Sequence, residues 1–397
     1  MRHALSCKAL VAAVASAGLL SLSAPEVRAQ SDDEIVLGGS IPLTGVFAFA
    51  GVGINKGIKD WVEIVNSDGG IHGRKLRYVP EDTAYKVDAS VAAFNKITSQ
   101  HDVNLYYADS TAFSKTINPE LNRSGDILMA GASFASELNN PEEYPHQFLP
   151  GPDYTEMVGI LLEYIHNQNP DAKVAFVYSD TEFGRDPIEA SVTQAKDMGL
   201  DVVQTIMTAP GSVDVSTEVL KLRRARPDYA IFHGYVLAPI PEFMEQARQM
   251  GLDTRFMGTF WSMDNKTIMK MGDTAEGFMG VMPYRYYYDQ AENAPMLEKI
   301  REMRPEYQST AYMQGFLTAM LMTEAVERTL DQGKELTGEN MKAALNSLES
   351  FDTGGLIGVP LDIDGNSIPV GRIYRADTSK QKMVPASDWI HLNSDSK

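Results

Sequence analysis

From Ile35 onward the chain alternates short apolar runs with amphipathic stretches of helical period. Ile35-Val36-Leu37, continued by Gly38-Gly39-Ser40-Ile41-Pro42, predicts a buried strand over 35–42. Ile54, Ile58, Trp61, Val62 and Val65 then fall on one face of a helix over 52–66, which Asp68-Gly69-Gly70 stops. The same reading gives strands over 75–80, 103–108 and 127–132, with a helix over 89–99. Strands separated by helices imply parallel βαβ units, because a parallel pair needs a crossover of roughly a dozen residues.

Asn139-Asn140-Pro141-Glu142-Glu143-Tyr144-Pro145 and Leu149-Pro150-Gly151-Pro152 interrupt this rhythm, and such a shift in composition marks a lobe boundary. Beyond it, helices are predicted over 154–167, 187–198, 216–225 and 240–250, and strands over 174–178, 202–207, 229–232 and 255–258. The count gives an α/β chain of two Rossmann-like, doubly wound lobes of similar size. The last third departs from the alternation. Helices over 294–303, 311–330 and 338–348 follow one another, and 361–376 reads as a hairpin turning at Asp364-Gly365. Such a tail completes lobes already built.

Residues 1–29 differ in kind. Arg2 and Lys8 precede an apolar stretch from Ala9 to about Ala24, and Val27-Arg28-Ala29 supplies a cleavage pattern, the form of a secretory signal. Ser16, Ser21 and Ser23 break the stretch, which is shorter than the roughly 20 apolar residues of a membrane span. Cleavage after Ala29 removes Cys7, the single cysteine, and with it any disulfide or thiolate metal site. With 35 Lys+Arg against 53 Asp+Glu in 397 residues, the net charge of −18 argues against nucleic acid or an anionic membrane surface as the main partner. An acidic, exported chain without disulfides suits the bacterial periplasm.

Catalytic constellations do not assemble. Gly51-Val52-Gly53 with Gly57 has the wrong spacing for a dinucleotide loop, and no Walker-type Gly-Lys-Ser/Thr is present. The seven His lack paired spacing, no Gly-x-Ser-x-Gly elbow occurs, and Asp362-Ile363-Asp364-Gly365 places its Gly two positions early for a calcium loop. No metal and no cofactor is expected. What remains are three hydroxyl-rich and aromatic clusters at predicted strand ends, where doubly wound sheets place ligands: 44–51, 109–114 and 132–136. Ser and Thr hydroxyls beside free N–H groups at a helix start can hold a carboxylate without any Arg, with Phe47, Phe49, Phe113 and Phe134 as an apolar wall. Each cluster alone is also what ordinary capping with a buried Phe would give.

Three segments carry a resemblance: Gly38-Gly39-Ser40-Ile41-Pro42-Leu43-Thr44-Gly45, Asn66-Ser67-Asp68-Gly69-Gly70-Ile71-His72-Gly73-Arg74-Lys75-Leu76, and Ala247-Arg248-Gln249-Met250-Gly251-Leu252. The chain resembles the type I periplasmic solute-binding proteins of the leucine/isoleucine/valine group, over essentially everything after residue 29. The resemblance implies two lobes joined by three crossovers, a ligand in the cleft, and delivery to ABC transporter permease subunits by a monomer. On that pattern lobe 1 takes 34–150 and 284–359, and lobe 2 takes 151–283 and 360–397. It also implies ligand contacts from Ser110, Thr111, Phe113 and Ser114, from Ala132, Ser133 and Phe134, and from Phe183 and Tyr235; the apolar wall read from the strand-end clusters adds Phe49.

One departure bears on the ligand. Amino-acid binders of this group place an acid for the α-ammonium just after the segment matching Phe256-Met257-Gly258, where this chain has Thr259-Phe260-Trp261. A buried ammonium without a carboxylate costs several kcal/mol, so either Asp264 or Glu182 substitutes, or the ligand is an aromatic or aliphatic acid lacking the amine. Phe260, Trp261, Tyr235 and the run Tyr284-Arg285-Tyr286-Tyr287-Tyr288 suit a ring, and Arg285 is a candidate partner for a carboxylate. Capture is expected by hinge closure through crossovers near Pro150, Pro283 and Val359. The rival readings are a sensor subunit on the same fold and an exported enzyme using Asp109 with Glu182.

Overall fold

The computed structural model describes residues 34–392 except 236 and 364, so the signal expected over 1–29, with Cys7, lies outside the described residues. The chain builds two sheets. The first lobe opens with β1 (Glu34–Ile41), α1 (Ala48–Ser67), β2 (Lys75–Asp82), α2 (Val87–Gln100), β3 (Val103–Ala108), α3 (Thr111–Ser124) and β4 (Leu128–Gly131). Its strands are all parallel in the order β2-β1-β3-β4, with Glu34 opposite Lys75 and Leu105 opposite Leu128. Their side chains alternate between the two faces. Val36, Tyr106 and Met129 pack with Phe94, Phe113 and Ile117 on one side, while Leu37, Leu105, Tyr107 and Leu128 join the larger core on the other.

The second lobe holds α4 (Tyr154–Gln168), β5 (Lys173–Ser179), α5 (Glu182–Arg185), α6 (Ile188–Asp197), β6 (Asp201–Thr208), α7 (Ser216–Ala225), β7 (Tyr229–His233), α8 (Ile240–Gln249), β8 (Arg255–Gly258), α9 (Asn265–Met269) and β9 (Met279–Met282). After α10 (Pro295–Met303), α11 (Thr310–Asp331) and α12 (Gly338–Asn346), the chain adds β10 (Val370–Asp377) and β11 (Lys382–His391). The second sheet runs β11-β10-β9-β8-β7-β5-β6, parallel from β5 to β9 and antiparallel at β10 and β11.

The passages between the two sheets number three: before α4, after β9 and after α12. The return passage is fixed by α11, a helix buried on nearly all sides that lies against α1 and β4. Gly57 and Gly315 make this approach possible. A Cβ on Gly57 would collide with the Tyr312 carbonyl oxygen, and one on Gly315 with Ile54. Where the two helices meet, the buried Asp60 carboxylate accepts from Arg304 Nη2 at 2.7 Å and Nε at 2.8 Å, and from the Tyr312 hydroxyl at 2.8 Å.

Two expectations are corrected. The hairpin turns at 378–381, between β10 and β11, and Leu361 forms only an isolated bridge to Phe351. Asp364 lies outside the described residues. Helix α3 was not expected, because Pro119 and a run of Ser, Thr and Asn give it little apolar periodicity. It forms nonetheless, between a Ser110 cap that accepts from Phe113 N at 3.2 Å and a left-handed Gly125.

Candidate ligand-binding site

A small cavity of about 10 Å³ lies where the carboxyl ends of β3, β4, β5, β7 and β8 face one another. Phe47, Tyr85, Asp109, Ser110, Thr111, Ala132 and Ser133 line it from the first lobe, and Tyr154, Phe183, Tyr235 and Trp261 from the second. It is far smaller than the roughly 300 Å³ at which drug-sized sites begin, so in this arrangement the rings fill the space and a ligand enters only as the two lobes part.

The first lobe supplies the polar end. Ser110 follows β3 and caps α3, so the N–H groups of Thr111 and Ala112 have no partner within the helix. Ser110 Oγ is already committed: it donates to Asp109 Oδ1 at 3.1 Å and accepts from Phe113 N. Thr111 Oγ1 and Ser133 Oγ are 2.7 Å apart, and Ser133 Oγ also accepts from Ala135 N at 3.1 Å. One bond between two hydroxyls uses one proton, which leaves one hydroxyl proton of the pair for a ligand. Below them Asp109 accepts from Thr83 Oγ1, from Ser90 Oγ at 2.8 Å and from Ser110, while burial pushes its carboxyl above the ordinary value.

The second lobe supplies rings. Phe183 stacks on Tyr235 at 5.0 Å, Tyr154 meets Phe183 edge-on at 5.1 Å, and Phe47 from the facing lobe stacks on Tyr85 at 4.5 Å. Phe47 also meets Tyr235 at 4.9 Å and Trp261 at 5.4 Å, both edge-on. Direct bonds cross between the lobes. The Tyr85 and Tyr235 hydroxyls are 3.1 Å apart, and Trp261 Nε1 donates to the Ala132 carbonyl at 3.2 Å while sharing its proton with the Tyr154 hydroxyl at 3.2 Å. Lys115 Nζ on α3 reaches Glu182 at 3.3 Å, and the Ser136 N–H donates to Asp186 at 2.8 Å.

Thr259 stands where an ammonium-binding acid was sought, and its hydroxyl is already used. His233 Nε2 lies 2.9 Å from the Phe183 carbonyl and must carry the proton, so Nδ1 accepts from Thr259 Oγ1 at 2.8 Å. Burial pushes the His233 imidazole down to about 3, which keeps it neutral.

Of the expected contacts, Ser110, Thr111, Ala132, Ser133, Phe183, Tyr235 and Trp261 are brought together around the cavity. Four others turn away from it. Phe113 packs behind the first sheet with Tyr106 at 6.2 Å, and Ser114 is buried with its carbonyl accepting from Gln147. Phe134 and Phe260 meet each other at 5.5 Å in the layer behind Tyr154 and Trp261. Phe49 lines a separate, outer chamber, as does Asp264, which caps α9 by accepting from Thr267 N.

Glu182 is exposed and paired with Lys115. Tyr284 supports Phe260 from below, the Tyr286 hydroxyl binds the Met263 carbonyl, and Arg285 donates to the Gly355 carbonyl, so this run frames the fold. Tyr85 and Tyr154 were not foreseen. Tyr85 follows the end of β2 in a left-handed turn made by Ala84 and Tyr85 themselves, with no glycine to flag it, and Tyr154 read simply as the first residue of a helix. The one available signal for Tyr85 was its place just beyond a strand end.

The family model described as periplasmic binding protein matches residues 34–380. The leucine-, isoleucine-, valine-, threonine- and alanine-binding protein of Pseudomonas aeruginosa is 23% identical over 357 residues, 87% of this chain and 90% of the relative. A branched-chain amino acid ABC transporter structure from Thermus thermophilus with bound valine superposes with a TM-score of 0.82 at 23% identity, covering 90% of this chain and 97% of that one. A solute-binding protein of an ABC transporter from Rhodopseudomonas palustris BisB5, in complex with 3,4-dihydroxybenzoic acid, gives a TM-score of 0.75 at 18% identity, covering 91% and 98%. The fold is thus shared with these structures, and the family match across nearly all described residues places the chain in the periplasmic binding protein family.

Proposed function

We propose that this chain is the solute-binding component of an ABC importer and that it captures a small carboxylate with a flat apolar body, an aromatic acid lacking an α-amine. The observation that carries the reading is the division of the cavity: N–H and hydroxyl donors at one end, rings around the rest, and the lining carboxylate, Asp109, already accepting from three hydroxyls. Thr259 is bound to His233, and the Ala132 carbonyl accepts from Trp261 Nε1. An ammonium brought there would displace the indole or stay unpaired, at a cost of several kcal/mol. The names of the relatives support the transport role, and their ligands span branched-chain amino acids and a benzoic acid.

Capture proceeds by closure of one lobe on the other. The ligand carboxylate meets the free N–H groups of α3 and the Thr111/Ser133 hydroxyl pair, and Phe183, Tyr235 and Trp261 then cover its apolar body. The bonds between Tyr85 and Tyr235, Trp261 and Ala132, and Lys115 and Glu182 form only when the lobes meet, so ligand binding and closure shift together. In this reading the lobes are 34–150 with 284–359 and 151–283 with 360–397, the signal is cleaved after Ala29, and a periplasmic monomer presents its closed form to the permease.

Asp109 favours a second reading, an amino-acid ligand, since it is the carboxylate that lines the cavity. Its three hydroxyl donors already satisfy much of its accepting capacity. A thermal-shift series with benzoate-type and phenylpropanoid acids beside leucine, valine and phenylalanine separates the two, because a ligand bound only by the folded form raises the melting temperature. Stabilisation by the amine-free acids alone is expected. Stabilisation by the amino acids alone would assign Asp109 to the ammonium.

A further inference from the structure

Beside the small cavity lies a second, larger chamber of about 590 Å³, also walled by both lobes. Phe49, Val52 and Ala311 form its first-lobe side and Leu237 and Lys266 its second-lobe side, and Trp261 is a wall of both chambers. Val52 and Leu237 are 55% and 44% exposed, unusual for large apolar side chains, and both line this chamber. The partition is thin. Phe47, in the inner cavity, meets Phe49, in the outer chamber, at 5.0 Å, and Trp261 at 5.4 Å. Phe47 follows the left-handed Gly45 and the 81%-exposed Val46, on a segment tied down mainly where Asp82 accepts from the Leu43 and Thr44 N–H groups.

We propose that the outer chamber is a subsite for an apolar extension of the ligand, so that the substrate class is an elongated acid: carboxylate at α3, ring in the inner cavity, and an alkyl or aryl tail passing Phe47 and Trp261 to lie between Val52 and Leu237. The inference rests on the carboxylate reading of the inner cavity. Continuity through a shared Trp261 wall and a mostly apolar lining open to both lobes argue for the same ligand as occupant. The inner cavity, about 10 Å³ in this arrangement, opens for a ring as the lobes part, and a tail of several carbons needs the outer space as well.

Calorimetric titration of the protein with benzoate and with 4-pentylbenzoate tests the inference, repeated on Val52→Trp and on Leu237→Glu. Both positions are exposed on the chamber rim and stand apart from the inner cavity, so neither change threatens folding or the benzoate contacts. The expected result is that 4-pentylbenzoate binds at least about tenfold tighter than benzoate, and that each variant removes this gain while leaving benzoate within about twofold. If 4-pentylbenzoate binds no better than benzoate, or keeps its advantage in both variants, the outer subsite is refuted while the carboxylate reading stands. Failure of both acids to bind would instead overturn the carboxylate reading and this inference with it.

Discussion

The two halves of the cavity are built by different means. In the first-lobe half most of the polar groups are local: a strand ends at Ala108, the next residues cap α3, and Asp109, Ser110 and Thr111 reach the site by adjacency in sequence. Ser133 joins them after β4, while Phe47 and Tyr85 come from the connections after β1 and β2. The second-lobe half is assembled from afar, since Tyr154, Phe183, Tyr235 and Trp261 come from four separate connections. The difference teaches which half sets orientation and which sets affinity. Fixed donors at a helix start select a carboxylate geometry, whereas the area of buried rings supplies most of the free energy of closure.

Truncating the ring side should therefore hurt most. Trp261→Ala removes a 5%-exposed indole and its bond to Ala132 across the cleft, and ligand affinity measured by calorimetry should fall at least about 100-fold, on the order of 3 kcal/mol. On the polar side, Thr111→Val deletes one hydroxyl of the pair and is expected to weaken binding about tenfold while changing the melting temperature little. Ser110→Ala has the opposite profile. It uncaps α3 and strands a bond to Asp109, so it should cost about 1–2 kcal/mol in denaturant unfolding even without ligand.

Asp186 sharpens the comparison, because it joins the halves. Its partly buried carboxylate accepts from the Ser136 N–H and hydroxyl and from the Glu137 N–H, lies near the Asp153 carboxylate, and is pushed up to about 6, chiefly by burial. A raised carboxyl means that the folded form holds the proton more tightly than the unfolded chain does. This group's contribution to stability is thus greatest below its unfolded value near 3.8 and is lost as pH rises through about 6. Asp186→Asn mimics the protonated form, so it should raise stability near neutral pH by on the order of 2 kcal/mol and by almost nothing near pH 4. Melting curves of both proteins across that range check the sign. The smallest effect belongs to Lys115, partly exposed between Glu137 and Glu182, where Lys115→Ala should change stability by less than about 1 kcal/mol and lose even that in high salt.

The same division explains how much was legible in the sequence. The alternation of apolar runs located β1 to β8 to within a residue or two, because a buried strand leaves an apolar run, whereas β9, only four residues long, was not expected. Strand-end chemistry located Ser110, Thr111, Ala132 and Ser133, since their role follows from where β3 and β4 stop. The rings were harder. Phe113, Phe134 and Phe260 share the composition of Phe183 and Trp261, and only the packing of the second layer decides that they face inward to the core. The hairpin was misplaced because Asp364-Gly365 is the stronger turn signal, while the actual turn uses Thr378, Ser379, Lys380 and a left-handed Gln381.

The most direct measurement is calorimetric titration with a matched pair, 3-phenylpropanoate and phenylalanine, which share ring, chain length and carboxylate and differ in the α-ammonium. 3-Phenylpropanoate is expected to bind at least about tenfold tighter, because the Thr259 hydroxyl and the Ala132 carbonyl are already engaged. Tighter binding of phenylalanine, lost in Asp109→Asn, would contradict that expectation and make this an amino-acid site.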